Sequence, residues 1–444
     1  MTSPSGSSAP RMSAVDQAVP AEPTRKRILI GTDTYPPDVN GAAYFTARLA
    51  EGLSARGNDV HVVCPSPDGP PRIERRNGVT LHRVRSASVL VHPTMRTALP
   101  LGLAGTLRRL LDRFAPHVIH AQGHFVIGRT LISAGRRNGT PVVLTNHFMP
   151  ENLFHYAHVP GPLQGPTGGL AWRDFVRVMG TVDHVTTPTA KAARLLLDKG
   201  FGHPVEAVSC GIDLSRFHPR PERGAKARAM LGLPERETVM FVGRLDDEKR
   251  IDDMVRALPM IAKVRDAQLA LVGTGSRRAA LEQLAASLGV ADRVRFLGFV
   301  PDDELPMAYQ AADVFGIASI AELQSIATLE AMASGLPVVA ADAMALPHLV
   351  DEDRNGYLYP PGDHGAFAHR VLSILESGPK RAAMAEASLE IARRHDHERS
   401  LARFEEIYDT VRPGVGIDRR RRRVAVSSGS PVVVERARAR ELTR

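Results

Sequence analysis

The sequence predicts an α/β protein of two doubly wound, parallel-sheet (Rossmann-like) domains that face a central cleft. Three observations carry the prediction. Buried-strand and amphipathic-helix patterns alternate from Arg25 onward, they do so in two successive series, and a proline- and charge-rich break separates the series over residues 213–235. Alternation with short connections implies crossover helices, and so parallel strands covered on both faces. A chain of 444 residues is also long enough for two or three domains with ample cores.

The first series opens with "KRILIGTD" as a buried strand, "GAAYFTARLAEGLSARG" as an amphipathic helix and "NDVHVVCP" as a second strand. It continues with a strand at "GVTLHRVRS", a helix at "LGLAGTLRRLLDRF" and strands at "HVIHAQ" and "PVVLTNH". A long helix over residues 165–181 and the strand–helix unit "DHVTTPTAKAARLLLDKG" complete it. The second series runs "TVMFVGRLD", a helix from Ile251, "AQLALVGTG", a helix from Ser276, "VRFLGFV" and "DVFGIAS". It ends with a helix carrying Glu330, then "PVVAAD", "NGYLYPPGD" and helix over 363–411. The expected organisation is a disordered leader (1–24), an N-terminal Rossmann-like domain (25–212), a linker (213–235) and a C-terminal Rossmann-like domain (236–395). A C-terminal helix (396–411) and a basic disordered tail (412–444) follow.

Composition narrows the class. With 43% hydrophobic and 24% charged residues the chain reads as an ordinary soluble globular protein. Cys64 and Cys210, far apart in sequence, fit a reducing cytoplasmic compartment and supply no disulfide or metal framework. The Ser/Pro/Ala-rich leader lacks the apolar core of a signal peptide, and no apolar run is long enough to span a bilayer. The net charge of +9 is concentrated: residues 412–444 hold ten arginines and three acids, a net of +7, which leaves the rest near +2. Such a tail either meets an anionic membrane surface or stays solvated. A nucleic-acid partner has only this tail behind it and is not expected.

The chemistry-bearing loops lie at strand ends, where ligands of doubly wound sheets bind. In "AELQSIATLEAMASGLPVVAAD" Ser325 is placed as the N-cap of a short helix, Glu330 lies inside the helix and Glu322 in the loop feeding it. The helix's first amides have no internal partner and form a seat for an anion, while the two carboxylates accept hydrogen bonds from neutral hydroxyls. The competing reading, two solvated glutamates on a surface helix, leaves their apolar surroundings unexplained. Spacing also disfavours a glycosidase pair: eight helical residues span roughly 12 Å, beyond the usual carboxyl separation of about 5 to 9.5 Å. In "FVGRLDDEKRIDDMV", Arg244 and Lys249 follow a buried strand, as two cations for a diphosphate or as ordinary surface charge. Asn40-Gly41 forms a tight strand-to-helix turn that allows close approach of a ligand. "VGTGS" is no dinucleotide fingerprint, because Arg278 stands where the third glycine belongs. Histidines cluster at His120, His124, His147, His155 and His158 without zinc spacing. His147 closes a strand, either as a sugar-contacting group or as a hydrogen-bonded structural histidine.

In this order, "YPPDVNGAA", "SCGIDLSRFHP", "FVGRLDDEKRIDDMVRALP", "LVGTGSRRAALE", "FLGFVPDDELPMAYQAADVF" and "AELQSIATLEAMASGLPVVA" resemble the retaining nucleotide-sugar glycosyltransferases of family 4, which have the GT-B fold. The likeness covers residues 26–395. It implies that Glu322 meets the donor sugar's hydroxyls and Glu330 the ribose. Arg244, Lys249, Ser325 and Ile326 would hold the diphosphate above Gly41, and backbone near Phe299 and Val300 would meet the nucleobase. His147 would face the reacting sugar, with His124 and Tyr35 as acceptor-side candidates. Gln324-Ser325 replaces the Phe-Gly of many members, a variant closer to phosphatidylinositol mannosyltransferases and diacylglycerol glycosyltransferases. The resemblance implies hexose transfer, mannose or glucose, from a GDP- or UDP-sugar without an essential metal or other cofactor. The acceptor is a lipid or polyol, with inositol phosphate as the soluble alternative. Residues 87–114 mix apolar residues with arginines, as a membrane-surface segment or as a core helix behind a loop. A non-catalytic sugar-nucleotide-binding protein on the same fold is the reading from another class.

Overall fold

The computed structural model describes residues 25–89, 92–148, 161–220, 224–413 and 433–434. The expected leader, His155, His158 and most of the basic tail lie outside them.

The N-terminal sheet is assembled around β1 (Arg27–Gly31), β2 (Asp59–Pro65), β3 (Arg72–Arg76) and β4 (Val79–Val84), with a separate hairpin of β5 (Ser86–Val89) and β6 (His92–Ala98). Strands β7 (Val118–Ala121), β8 (Val142–Thr145), β9 (His184–Thr187) and β10 (Val205–Ala207) extend it. Its helices are α1 (Gly41–Ala55), α2 (Leu103–Phe114), α3 (Val126–Asn138), α4 (Gly161–Met179) and α5 (Ala190–Asp198). A short α6 (Gly224–Met230) leads to the second sheet. That sheet contains β11 (Glu237–Val242), β12 (Ala267–Val272), β13 (Val294–Gly298), β14 (Val314–Ile317), β15 (Val338–Ala341) and β16 (Gly356–Tyr359). Its helices are α7 (Ile251–Ala262), α8 (Arg278–Ser287), α9 (Leu305–Gln310), α10 (Ile326–Ala333), α11 (His364–Leu375) and α12 (Gly378–Arg393). Helix α13 (His397–Thr410) and the two-residue β17 (Val433–Val434) close the chain.

The strand orders are β17-β10-β9-β8-β7-β1-β2-β4-β3 and β13-β12-β11-β14-β15-β16. All pairs are parallel except β3–β4 and β10–β17 in the first sheet. Both sheets therefore switch direction beside their first strand, β1 or β11, and the crevices at those points open at the carboxyl ends of the strands.

Packing differs from the expected division in two places. Residues 213–235 are more than a linker: α6 lies within them, and Ala227 and Leu233 pack with Ala308 of α9 in the second domain's core. The crossing is instead at Ile212, whose N–H and C=O pair with His395 O at 2.8 Å and His397 N at 3.0 Å. The chain thus passes between domains twice, side by side. Helix α13 then returns to the first domain, where Leu401, Phe404, Ile407 and Tyr408 join Phe45, Leu49 and Leu53 of α1 in one core. Gly52 permits this approach, since a Cβ there would lie 2.6 Å from Leu401 Cδ1.

Of the two readings of the segment 87–114, its helix follows the core-helix one, with a hairpin in place of the loop. It forms the β5–β6 hairpin and α2, and Leu103, Leu107, Leu111 and Phe114 of α2 are buried in the domain core. Their spacing commits the helix's apolar stripe to the protein interior, leaving Arg108, Arg109 and Arg113 outward. In the tail, Val433 and Val434 pair with the edge strand β10 rather than remaining without structure. Among the described residues, no helix is long and apolar enough to cross a membrane.

Candidate active site

The loop from β14 to α10 reaches across the cleft. Leu323 is buried against the first domain's core, Thr189 Oγ1 donates to Leu323 O at 2.9 Å, and Ile326 packs on the core below α1. Helix α1 begins at Gly41 behind Asn40, whose Oδ1 accepts from Ala43 N at 2.9 Å. A Cβ on Gly41 would lie 3.8 Å from Ile326 Cδ1. The amino termini of α1 and α10 thus face each other, the geometry in which first-turn amides of two helices can hold one anion.

Helix α10 starts without the cap expected of Ser325. Ser325 has φ 71° and ψ 85°, a left-handed conformation, and its hydroxyl pairs with Thr328 Oγ1 at 2.7 Å instead of capping a backbone N–H. The helix amides are therefore not consumed by the serine side chain. Ser325 holds a conformation that glycine adopts more readily, at the position where many resembling sequences have glycine. Gln324 is also fixed: its Oε1 accepts from Cys210 N at 2.7 Å and its Nε2 donates to Ser209 Oγ at 2.8 Å, tying α10 to the interdomain crossing.

Lys249 lies in the turn after β11, and its Nζ meets Glu322 Oε1 at 2.5 Å. Burial acts to raise the Glu322 carboxyl, but Lys249, Ser319 and Arg244 outweigh it and hold the group below its ordinary range. Arg244 is braced by Asp246 at 2.5 Å and Glu248 at 2.7 Å. Asp246 also accepts from Ser276 N and Oγ, which ties this loop to "VGTGS". A Cβ on Gly273 would fall 1.9 Å from Gly243 O, and one on Gly275 2.4 Å from Leu245 O, so these glycines allow two loops to touch backbone to backbone.

Glu330, about one turn along α10, has different partners. Its Oε2 accepts from Tyr309 Oη at 2.9 Å and its Oε1 from Arg48 Nη2 of α1 at 3.1 Å. Burial raises its carboxyl above the ordinary value despite both donors. Arg48 also reaches Asp302 at 3.3 Å, and Arg216 binds that aspartate at 2.6 Å. Asp302 follows Phe299 and Val300 on the loop after β13, where Phe299 is 54% exposed and Val300 packs beneath. Along α10 the order is thus Lys249 and Arg244 at one end, free helix-start amides in the middle, and Glu330 beside the Phe299 loop at the other.

On the facing domain, His147 follows β8, with Nε2 2.8 Å from Gln122 Oε1 and its ring 4.8 Å from that of Phe45. Burial pulls it down to about 4, so it is neutral at physiological pH. His124 lies against Phe125 and Phe175 at 4.5 and 4.4 Å, and burial likewise pulls it down to about 4. Tyr35 does not line the cleft. It is 2% exposed in the core, with the Arg83 guanidinium 5.3 Å from its ring centre.

Sequence reasoning missed Arg48, Asp302, Tyr309 and Asp33. Asp33 follows β1, accepts from Ile127 N at 2.8 Å and Gly128 N at 3.3 Å at the start of α3, and is pushed up to about 6 by burial against those two hydrogen bonds. Its place at a strand end was the available signal. Among the described residues, no group of three or more His, Cys, Asp or Glu side chains is placed to hold a metal ion.

Known proteins resemble this chain in sequence and in fold. Residues 39–216 match the model of Glycosyltransferase Family 4, and residues 225–390 that of Glycosyl transferases group 1. The chain is 31% identical to D-inositol 3-phosphate glycosyltransferase of Salinispora arenicola over 84% of its own length and 87% of the relative's. It is 32% identical to GDP-mannose-dependent alpha-mannosyltransferase of Mycobacterium tuberculosis, over 78% and 86%. In fold it is similar to sucrose-phosphate synthase of Thermosynechococcus elongatus, with a TM-score of 0.72 and 21% identity over 87% of this chain and 98% of the other. Anabaena HepE in complex with UDP-glucose gives a TM-score of 0.70 and 20% identity over 87% and 100%. The chain belongs to glycosyltransferase family 4, the retaining, nucleotide-sugar-dependent enzymes of the GT-B fold.

Proposed function

We propose that this protein transfers a hexose, mannose or glucose, from a GDP- or UDP-sugar to a lipid or polyol hydroxyl at the inner face of a membrane. The observation that carries the reading is the Lys249–Glu322 contact beside the start of α10, directly across from the start of α1. With donor bound, the diphosphate takes Arg244, Lys249 and the amides at Ser325 and Ile326, above Gly41. Glu322 accepts from the sugar's hydroxyls, Glu330 from the ribose, and backbone at Phe299 and Val300 meets the base.

Breaking the sugar–phosphate bond moves negative charge onto the leaving diphosphate. Fixed donors aimed at that charge lower the barrier because they need not reorganise as it develops. Attack comes from the face the phosphate leaves, with a phosphate oxygen taking the acceptor's proton, which preserves the anomeric configuration. His147 stays neutral. With Nε2 donating to Gln122, its Nδ1 accepts from a sugar hydroxyl.

A lipid acceptor is supported by the outward arginines of α2 and by Leu101, 94% exposed just before it. The arginine tail would add attraction to an anionic surface. The alternative, an inositol phosphate, is favoured by the likeness to D-inositol 3-phosphate glycosyltransferases. UDP-glucose and GDP-mannose should be offered with phosphatidylinositol vesicles, diacylglycerol vesicles or inositol phosphate, using folded Glu322→Ala as the control. Product with vesicles alone supports the lipid reading, and product with inositol phosphate alone replaces it. No product and no donor hydrolysis under any condition would reject the assignment.

A further inference from the structure

A charge cluster surrounds Glu330, and its other members, Arg48, Asp302 and Arg216, have no role in the site as described so far. Arg48 projects from α1 across the cleft. Its Nη2 donates to Glu330 Oε1 at 3.1 Å and to Asp302 Oδ1 at 3.3 Å, while its Nη1 is buried without an acceptor among the described residues. Asp302 is held from its other side by Arg216, which bonds its carboxylate at 2.6 Å and also its carbonyl. Tyr309 Oη donates to Glu330 Oε2 at 2.9 Å. Each Glu330 oxygen therefore has one fixed donor and retains a further lone pair, the arrangement needed to accept from two vicinal hydroxyls.

We propose that Arg48 is a positioning residue for the donor site, which holds Glu330 ionised and aimed so that its carboxylate accepts the ribose hydroxyls of a nucleoside diphosphate. The inference rests on the ribose role proposed for Glu330. The physical need is clear from the surroundings. Glu330 is 3% exposed, and burial raises its carboxyl despite Arg48 and Tyr309. Asp302 pushes it further up, and the phenol of Tyr44 on α1 lies within the same field. Arg216, bound to Asp302, is the other cation of the cluster. Tyr309 is itself raised well above its ordinary value by burial and by Glu330, so it serves as a neutral donor and brings no charge. Arg48 is thus the only cation that touches Glu330 among the described residues. Without it the carboxyl loses the cation that opposes its burial and stays protonated to higher pH, and a protonated acid is a poorer acceptor for two hydroxyls. Because Arg48 stands on the first domain and Glu330 on the second, donor affinity also becomes linked to the closed arrangement of the two.

The test measures binding of UDP and of GDP by titration calorimetry, across pH, for the wild type, Arg48→Met, Arg48→Lys and Glu330→Gln, with thermal unfolding of each alone. In Arg48→Met the dissociation constant should rise about tenfold at mildly acidic pH and recover toward the wild-type value as pH rises and Glu330 ionises. Arg48→Lys should keep most of the affinity and a flat profile, and serves if the methionine variant folds poorly. A penalty in Arg48→Met that is equal at every pH, or absent, overturns the proposal while leaving the ribose role intact. Wild-type affinity in Glu330→Gln, or no binding of either nucleotide by the wild type, overturns the ribose role and the proposal with it.

Discussion

Lys249 Nζ and Glu322 Oε1 lie 2.5 Å apart, joining the loop after β11 to the loop after β14 where both are largely shielded from solvent. The pair gives each residue two functions, one in the fold and one in the proposed chemistry. Lys249→Met leaves Glu322 buried without its main counter-charge, so it should lower stability and cut donor turnover by about 10²–10³-fold. The double variant Lys249→Met/Glu322→Gln removes the stranded charge as well. It should regain much of the stability and none of the activity. Thermal unfolding with donor-hydrolysis assays separates the effects, and a double variant as active as wild type would remove both residues from catalysis.

Ser325 gives a second expectation. Its left-handed backbone at φ 71° is unfavourable for a residue with a Cβ, and only the hydroxyl contact to Thr328 is returned locally. Ser325→Gly should stay within about 1 kcal/mol of wild type, relief of strain offsetting the lost hydrogen bond. Ser325→Val, which is β-branched and cannot make that bond, should lose about 1–3 kcal/mol. Chemical denaturation decides it, and equal stability of the glycine and valine variants would mean the backbone strain is unimportant.

What was legible in the sequence follows from the range of the interactions. Buried parallel strands such as "TVMFVG" and "AQLALVG" are continuous apolar runs, so both sheets could be read locally. Strand β3, "RIERR", was not, because an exposed edge strand carries charge on both faces and shows no alternation. Helix α3 was passed over because its buried positions include small Gly128 and Gly135, which blur its apolar stripe. The same distinction applies at the site. Glu322 and Glu330 share one loop and helix, and Arg244 and Lys249 another loop, so each pair announced itself. Arg48 lies 282 residues from Glu330 and 254 from Asp302, and nothing near it in sequence signals either partner. Tyr35 misled for the opposite reason, since an aromatic after a strand end looks exposed until Arg83 of β4, two strands away in the sheet, covers it.

The return of α13 to the first domain makes the far end of the chain part of that domain's core. Phe404 is fully buried, its ring 6.1 Å from Phe45 and 5.1 Å from His120. Phe404→Ala should cost about 3–5 kcal/mol, a loss measurable by urea denaturation. A cost below about 1 kcal/mol would mean that α13 is not packed on α1.

Acid should weaken the first domain through histidines that are buried neutral. His120 lies between Tyr408 Oη and Thr145 Oγ1, each at 2.7 Å, and burial is the main cause that pulls it down to about 3 from 6.5. A folded value below the unfolded one means that folding resists protonation. The stability it contributes is therefore full above 6.5 and is lost as pH falls toward 3. His124 and His147, both near 4, act in the same direction. Asp33 has the opposite sign: raised from 3.8 to about 6, its contribution is full below 3.8 and is lost as pH rises through 6. Urea midpoints across pH for wild type, His120→Gln and Asp33→Asn resolve the two. His120→Gln should flatten the acid limb and Asp33→Asn should remove the fall toward neutrality, each leaving the other limb in place. An unchanged acid limb in His120→Gln would assign acid unfolding elsewhere, first to His124 and His147.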